Sequence, residues 1–178
     1  MNDADELVIL VDEKDREIGT APKLDAHRAG ALHRAFSVMI WSSEGLLLLQ
    51  QRHAGKYHSG GLWTNAACGH PRPGEDSAAA ALRRLREEMG FACPLKELGT
   101  LRYRAVLDQG LIEHELVHVF SGLHDGAIEP NPSEADGYRW ARIEDVRAEV
   151  AAAPDRYSAW FREYLAAQWP LAPAASPN

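Results

Sequence analysis

Residues 65–91 contain an unusual concentration of side chains that can take part in chemistry. Cys68 and His70 stand in a loop of small residues, and Glu87 and Glu88 follow on a predicted helix. A thiol can act as a nucleophile, an imidazole can bind a metal, and neighbouring carboxylates can share a cation. We therefore interpret this stretch as an active-site loop followed by a helix.

The helix is predicted by its apolar spacing and by its two ends. Leu82, Leu85 and Met89 recur three and four residues apart and would pack on one face. Asp76 precedes the run as a capping residue, and Gly90 follows where a left-handed residue commonly ends a helix. The helix therefore follows directly on the loop that carries Cys68 and His70.

The charged face of this helix has a structural interpretation as well as a functional one. Arg83 and Arg84 lie four residues before Glu87 and Glu88, a spacing at which side chains form ion pairs on a helix surface. A solvated, salt-bridged face is therefore an alternative to a cation site, and the loop in front of the helix is what favours the site.

A second pair of carboxylates lies on a predicted strand, residues 112–123. Period two places Glu113, Glu115, Val117 and Val119 on one face of that strand. Two acids on an apolar strand face cost desolvation and repel each other unless protons or a cation compensate. We expect these two carboxylates to be functional.

The remaining candidates are less specific when taken alone. His27 and His33 bracket small residues, and a pair so spaced is often incidental. Arg52 and Lys56 follow a predicted strand beside a glycine-containing loop, which suits a diphosphate as well as it suits ordinary surface charge. His53 and His58, in the same loop, are given no metal role.

The stretch from Gly69 to Phe91 resembles the Nudix box, Gly-x5-Glu-x7-Arg-Glu-U-x-Glu-Glu-x-Gly-U, in which U is a bulky aliphatic residue. Glu75, Arg83 and the pair Glu87-Glu88 occupy matching positions. Arg84 stands where the pattern has a glutamate, and a positive group there repels a dication. The resemblance implies the Nudix fold, with a cluster of hydrolase carboxylates that lacks one member.

Further motifs resemble one branch of that superfamily, the type I isopentenyl diphosphate isomerases. The run Trp-Thr-Asn-x-x-Cys-Gly-His-Pro is present at residues 63–71, Arg-Tyr-Arg-Ala at residues 102–105 and Glu-x-Glu at residues 113–115. The similarity extends from about Val8 to about Trp160. It implies interconversion of isopentenyl and dimethylallyl diphosphate in isoprenoid biosynthesis, through protonation, a tertiary carbocation and loss of a different proton.

The resemblance also implies roles for individual residues. The proton donor would be Glu115, helped by Tyr103, the group removing a proton would be Cys68, and Trp160 would lie against the cation. Lys23, Arg52 and Lys56 would bind the diphosphate. The alternatives are an ordinary buried thiol for Cys68 and core packing for the aromatic stripe that contains Trp160.

Two metal sites are implied in the same way. One would hold Mn²⁺, Zn²⁺ or Mg²⁺ through five ligands: His27, His33, His70, Glu113 and Glu115. Ligand type alone does not choose among these ions. The other would hold Mg²⁺ between Glu88 and the substrate diphosphate.

Two other functions remain as alternatives. A Nudix hydrolase of nucleoside or prenyl diphosphates would share the fold and the magnesium, but it would not need Cys68, Tyr103 or the three histidines, and it would favour a carboxylate at position 84. A catalytically inactive Nudix module that senses a nucleotide would be expected to have degraded catalytic positions, whereas the isomerase-like positions are filled here.

Composition is consistent with a single enzyme domain. The chain has 178 residues, a formal net charge of −7 and two cysteines, Cys68 and Cys93. That charge disfavours non-specific nucleic-acid binding, and two cysteines are too few for a disulfide framework. No segment approaches the length of a membrane span and the N-terminus is unlike a signal peptide. We expect a cytoplasmic enzyme with no membrane or nucleic-acid partner, a monomer with a dimer as the alternative.

The expected strands and helices, together with the resemblance to the Nudix fold, imply an α/β/α sandwich with a mixed sheet between helices. Strands are expected at residues 6–12, 17–20, 36–41, 46–51, 98–107, 112–123 and 138–141, and helices around residues 77–89, at 143–152 and from Pro154 onward. Residues 1–169 are expected to form the domain and residues 170–178, rich in Pro, Ala and Ser, a disordered tail.

Overall fold

The computed structural model describes residues 6–56 and 58–167. The strands in these residues are β1 (Leu7–Val11), β2 (Glu17–Pro22), β3 (His33–Trp41), β4 (Leu47–Arg52), β5 (Trp63–Thr64), β6 (Ala67–Gly69), β7 (Leu95–Val106), β8 (Ile112–Leu123) and β9 (Ala135–Ala141). The helices are α1 (Lys23–Ala29), α2 (Ser77–Met89), α3 (Ile143–Ala152) and α4 (Ala159–Ala166), with short 3₁₀ turns at Asp108–Gly110 and Pro154–Arg156. The expected tail, residues 170–178, lies outside the described residues.

Strand β3 is the centre of a mixed sheet. It pairs in parallel with β8 over its whole length and antiparallel with β1, β4 and β6. Strand β7 continues the sheet beyond β8, and β9 continues it beyond β4. The long parallel pairing brings the N-terminal ends of β3 and β8 together at one edge of the sheet.

Helices cover both faces of the sheet. Leu85 and Met89 of α2 pack against Phe36 and Ile40 of β3, all of them buried. On the opposite face, residues of α3 and α4 pack against the other side of β3, β4 and β8; they include Val146, Trp160, Phe161, Tyr164 and Leu165. The α/β/α sandwich with a mixed sheet that was predicted from the sequence is confirmed.

Helix α2 has the predicted boundaries. The Asp76 side chain accepts hydrogen bonds from the backbone N–H groups of Ala78 and Ala79, and Gly90 ends the helix at φ +77°. The next segment of chain is tied to this end, because the Glu129 N–H donates to the Met89 carbonyl across 3.2 Å. A Cβ atom at Gly90 would lie 2.4 Å from the Glu129 carbonyl oxygen, so glycine is required by contact as well as by conformation.

The structure differs from the sequence prediction in three places. Helix α1 and the short strands β5 and β6 are additional elements. The last helix begins at Ala159 rather than Pro154, because Ser158 accepts from the Phe161 N–H and caps it there. The expected hairpin between β3 and β4 is reduced to one pair, Trp41 with Leu47.

None of the helices in the described residues is both long and apolar enough to cross a membrane.

Candidate active site

A cleft of about 690 Å³, partly open to solvent, lies where the N-terminal ends of β3 and β8 meet the loops before α2 and after β4. Most of the residues predicted for the site line it: Lys23, Arg52, Lys56, Cys68, His70, Glu88, Tyr103, Glu113, Glu115 and Trp160. These residues come from segments more than 130 positions apart in the chain. The fold therefore brings together groups that the sequence only indicated separately.

Four side chains at one end of the cleft form a potential metal site. His27, His33, His70 and Glu115 each offer a ligand atom, and these atoms all lie within 4.8 Å of one another. All four residues are buried. The register of the sheet accounts for part of the cluster, because His33 lies opposite Glu115 in the β3–β8 pair.

The hydrogen bonding of these imidazoles is incomplete, which fits a metal ion. Both ring nitrogens of His27 and Nδ1 of His70 are buried with no hydrogen-bond partner in the protein. Nε2 of His33 lies 3.5 Å from a Glu115 oxygen, too far for a good hydrogen bond, while its Nδ1 lies 2.8 Å from the Ala31 carbonyl. Buried polar atoms without partners are rare, and three nitrogen ligands with a carboxylate suit a divalent cation.

The pKa shifts of His27, His70 and Glu115 are also those of a metal site. Burial, with the nearby His70 and His33, lowers the pKa of His27 to about 3, and burial lowers the pKa of His70. Burial alone would raise the pKa of Glu115, but His33 and His70 outweigh it and hold that pKa well below its usual value. Neutral imidazoles and an ionised carboxylate are the forms that bind metals. A divalent cation fits this set of residues.

Glu113, expected as a fifth ligand, is not one of the four clustered groups. Its carboxylate lies on the other side of Tyr103, whose hydroxyl is 2.9 Å from Glu113 Oε2 and 2.7 Å from Glu115 Oε2. Burial and the charge of Glu115 raise the pKa of Glu113 to about 8. The phenol therefore connects an acid that retains its proton with one that has lost it.

Cys68 lies on β6, on the opposite side of β3 from Glu115. It is paired with Ser37 of β3, whereas Glu115 is paired with His33. Burial, reinforced by the charge of Glu88, raises the pKa of the Cys68 thiol to about 12. The cleft thus contains a protonated thiol and an ionised carboxylate on separate strands.

Four cations also line the cleft. They are Lys23, Arg52 and Lys56, as expected, and Arg84 of α2, and the carboxylates of Glu6, Glu88 and Glu134 line the cleft with them. The sequence had marked Arg84 only as a departure from a pattern; its position on the same helix turn as Glu88 was the available signal. Four cations from three parts of the chain give the cleft candidate ligands for an anion.

The two carboxylates at the end of α2 have different surroundings. Glu88 is buried and accepts from Gln50 Nε2 at 2.7 Å and from Arg84 at 2.9 Å. Glu87 is exposed and pairs with Arg83 and Arg84 on the surface, as the salt-bridged interpretation of this face expected. Only Glu88 of this pair lines the cleft.

Aromatic rings form the apolar wall. Trp160 is buried, and the Arg52 guanidinium carbon lies 5.0 Å from its ring centroid, so the indole already contacts a cation. His58, to which the sequence assigned no role, is buried against Trp160 with ring centroids 5.9 Å apart. His53 lies outside the cleft, paired with Asp136 at the surface.

Comparison with known proteins agrees with this architecture. Residues 31–161 match the NUDIX domain family. The crystal structure of DR0079 from Deinococcus radiodurans superimposes with a TM-score of 0.77 at 20% identity, covering 91% of this chain and 98% of that one. The MutT protein from Methanosarcina mazei Go1 gives a TM-score of 0.63 at 18% identity, covering 76% and 91%. The fold and the site thus define a Nudix domain protein.

Similar proteins of known name identify a more specific family within the Nudix domain proteins. The chain is 53% identical over 158 residues to isopentenyl-diphosphate Delta-isomerase 2 of Aromatoleum aromaticum, covering 89% of this chain and 84% of the relative. It is 48% identical over 160 residues to the isopentenyl-diphosphate Delta-isomerase of Nocardia farcinica, covering 89% and 91%. The chain belongs to the isopentenyl-diphosphate Delta-isomerase family.

Proposed function

We propose that this cleft is where the chain interconverts isopentenyl diphosphate and dimethylallyl diphosphate. The observation that carries the proposal is the placement of a thiol, a carboxylate–phenol pair and an indole in one cleft that four cations also line. Moving a double bond by one carbon requires a proton to enter at one carbon and another to leave its neighbour. The cations would hold the diphosphate while the five-carbon chain reaches these groups.

Cys68 and Glu115 are proposed to exchange the two protons. They come from the strands on either side of β3. With the Cys68 thiol protonated and the Glu115 carboxylate ionised, Cys68 would donate the first proton and Glu115 would accept the second, the reverse of the roles that the resemblance implied. The Tyr103 hydroxyl lies between Glu113, which keeps a proton, and Glu115, which has lost one, and it could pass a proton from one to the other. Tyr103 would therefore set the protonation of Glu115 between turnovers.

Trp160 is proposed to stabilise the carbocation formed between the two proton transfers. A cation near an indole face gains about 2 kcal/mol or more when both are shielded from water. Trp160 is only 2% exposed, and the neighbouring His58 ring shields it further. The same enclosure would exclude water, which would otherwise add to the cation and give an alcohol.

Mn²⁺ or Zn²⁺ would be held by His27, His33, His70 and Glu115, and by Glu113 once the ion displaces its proton. Mg²⁺ would be held by Glu88 together with the diphosphate. When bound, these ions supply positive charge that stabilises the ionised carboxylates and offsets the phosphate charge. Oxygen ligands favour magnesium at the second site, whereas the mixed ligands of the first site do not choose among these ions.

Lys23, Arg52, Lys56 and Arg84 are proposed to bind the diphosphate, since bonds between cationic donors and phosphate oxygens are the strong kind. Arg84 also argues against the hydrolase alternative. It stands where the Nudix box has a glutamate, so the carboxylate cluster that a hydrolase would use lacks one of its members.

The test is to supply the purified protein with isopentenyl diphosphate, Mg²⁺ and Mn²⁺, and to follow the organic product by NMR and released phosphate by colorimetry. Dimethylallyl diphosphate without phosphate release is the expected result. Phosphate release without isomerisation would identify a hydrolase, and no reaction of a folded, metal-loaded protein would favour a binding module.

We also propose that the chain acts as a monomer in a reducing compartment such as the cytoplasm. The described residues of one chain supply every group assigned above, and the proposed chemistry needs Cys68 as a thiol. Light scattering during size-exclusion chromatography would test the first point, because a dimer would elute with twice the mass.

A further inference from the structure

Glu134 has no role in the chemistry described above, yet it lines the cleft between two of the proposed diphosphate ligands. Its Oε2 atom lies 2.7 Å from Lys56 Nζ and 3.1 Å from Arg84 Nη2. The carboxylate is only 16% exposed. One oxygen atom thus bridges two cations from separate segments, the loop after β4 and the helix α2.

The backbone that carries Glu134 is fixed on both sides. Its N–H donates to the Asn131 carbonyl and its carbonyl accepts from the His53 N–H, both across 2.9 Å. Asn131 in turn donates to the Glu88 carbonyl at the end of α2, also across 2.9 Å. Glu134 is therefore anchored to both segments that supply its cationic partners.

The arrangement has an electrostatic reason. The Lys56 ammonium and the Arg84 guanidinium approach the same oxygen atom, so their charges lie close enough to repel each other, and Arg84 is also held by ion pairs to Glu87 and Glu88. The shared carboxylate offsets that repulsion. The same carboxylate would be expected to weaken the binding of an anion if it did nothing but contribute negative charge.

We propose that Glu134 is a positioning residue that fixes the separation and direction of Lys56 and Arg84 so that the two can bind one diphosphate. The proposal rests on the proposed function, in which these cations hold the substrate. Glu134 touches neither the reacting carbons nor, in this role, the phosphate oxygens. Its contribution is pre-organisation, which improves binding by removing the cost of ordering two long side chains.

The two electrostatic effects predict opposite results for Glu134→Gln, which removes the charge at nearly constant shape. If the carboxylate only repels anions, the variant will bind inorganic pyrophosphate more tightly than the wild type. If it positions the two cations, the variant will bind pyrophosphate about tenfold more weakly, because charge-assisted bonds are lost when their donors are not aligned. Glu134→Asp keeps the charge on a shorter side chain, and its affinity for pyrophosphate should lie between those of the wild type and Glu134→Gln.

The experiment is calorimetric titration of the metal-loaded protein with inorganic pyrophosphate, with and without added Mg²⁺, alongside steady-state kinetics. Glu129→Gln, an exposed carboxylate in the same loop, is the matched control and should bind as the wild type does. We expect the Gln variant to raise KM about tenfold and to change kcat by less than about threefold, the pattern of a lost binding interaction.

Tighter or unchanged binding by Glu134→Gln would overturn the proposal, and so would a loss seen only with added Mg²⁺, since the carboxylate would then act through the cation. If the Gln variant does not fold, Glu134→Asp decides by the same criterion. The proposed function can fail separately: a wild type that binds pyrophosphate in the expected order of variants but does not isomerise substrate would refute the function alone.

Discussion

Tyr103 and Glu115 face each other across the β7–β8 pair, and the phenol hydroxyl donates to Glu115 Oε2 across 2.7 Å. The register of two long strands fixes this contact, because a slip of one residue would turn Tyr103 to the opposite face of the sheet. The topology of the sheet therefore fixes the hydrogen bond between Tyr103 and Glu115 that the proposed proton transfer uses.

Replacement of Tyr103 by Phe removes this hydroxyl and leaves the ring in place. A hydrogen bond to a charged group contributes about 1.5–3 kcal/mol, so kcat should fall by about 10- to 100-fold with a much smaller change in KM. Tyr138→Phe, on an exposed tyrosine of β9, serves as the control. Steady-state assays with isopentenyl diphosphate test this, and an unchanged kcat in the Tyr103 variant would remove the phenol from the mechanism.

Metal content should depend on His70. The His70→Ala variant loses one of the four clustered ligands, and the affinity for the ion should fall at least about tenfold, since even the partners of a ligand can cost that much. Elemental analysis after gel filtration, and the drop in Tm caused by a chelator, measure this. His53→Ala, at the surface, is the control. Equal metal content in the two variants would contradict the assignment of the cluster.

The pH dependence of stability should include a contribution from Glu149. Hydrogen bonds from Arg139 and Tyr157 lower the pKa of this carboxyl to about 2. A lowered pKa stabilises the folded state fully above the unfolded pKa of about 4.5, and this contribution is lost as the pH falls toward 2. Glu149→Gln should therefore lower Tm at pH 7 and have progressively less effect below pH 4.5.

Thermal scans of this variant from pH 7 to pH 2.5 should be compared with scans of Glu44→Gln, an exposed acid in the turn after β3. A Tm difference that stays constant across this range would mean that the Glu149 carboxylate is not held by its partners in the folded state.

Ala variants at two glycines with the same φ angle would distinguish the cost of a left-handed backbone from the cost of a steric contact. Gly90 and Gly45 both have φ +77°, but a Cβ at Gly45 meets nothing within 4 Å, whereas at Gly90 it meets the Glu129 carbonyl at 2.4 Å. Both Ala variants should lose about 1–2 kcal/mol of unfolding free energy from the left-handed conformation. Gly90→Ala should lose roughly 1–3 kcal/mol more from overpacking. Equal losses in chemical denaturation would contradict the close contact.

The elements with strong local signals were predictable from the sequence. The capped, amphipathic α2 and the strand β8, with Glu113 and Glu115 on one face, have the expected bounds and orientation. Local spacing determines which face a side chain occupies, so the shared face of the two carboxylates followed from period two.

Features that depend on distant contacts were not predictable. Helix α1 has seven residues, too few for a clear apolar period, and it places His27 in the cluster only because it packs near β8. Glu87 and Glu88 are neighbours in sequence, yet only Glu88 turns inward, toward Gln50 on β4. The basic role of Arg84 and the burial of His58 likewise depend on how separate segments meet.

We propose that Cys68 and Glu115 move protons in this cleft. Incubation of the protein with isopentenyl diphosphate in deuterated water tests this proposal. The wild type and Cys93→Ala, which alters the other cysteine, should both form dimethylallyl diphosphate with deuterium in a methyl group, as observed by NMR. Cys68→Ala should fold and bind metal but form no labelled product. Labelled product from Cys68→Ala at the wild-type rate would contradict a proton-transfer role for Cys68.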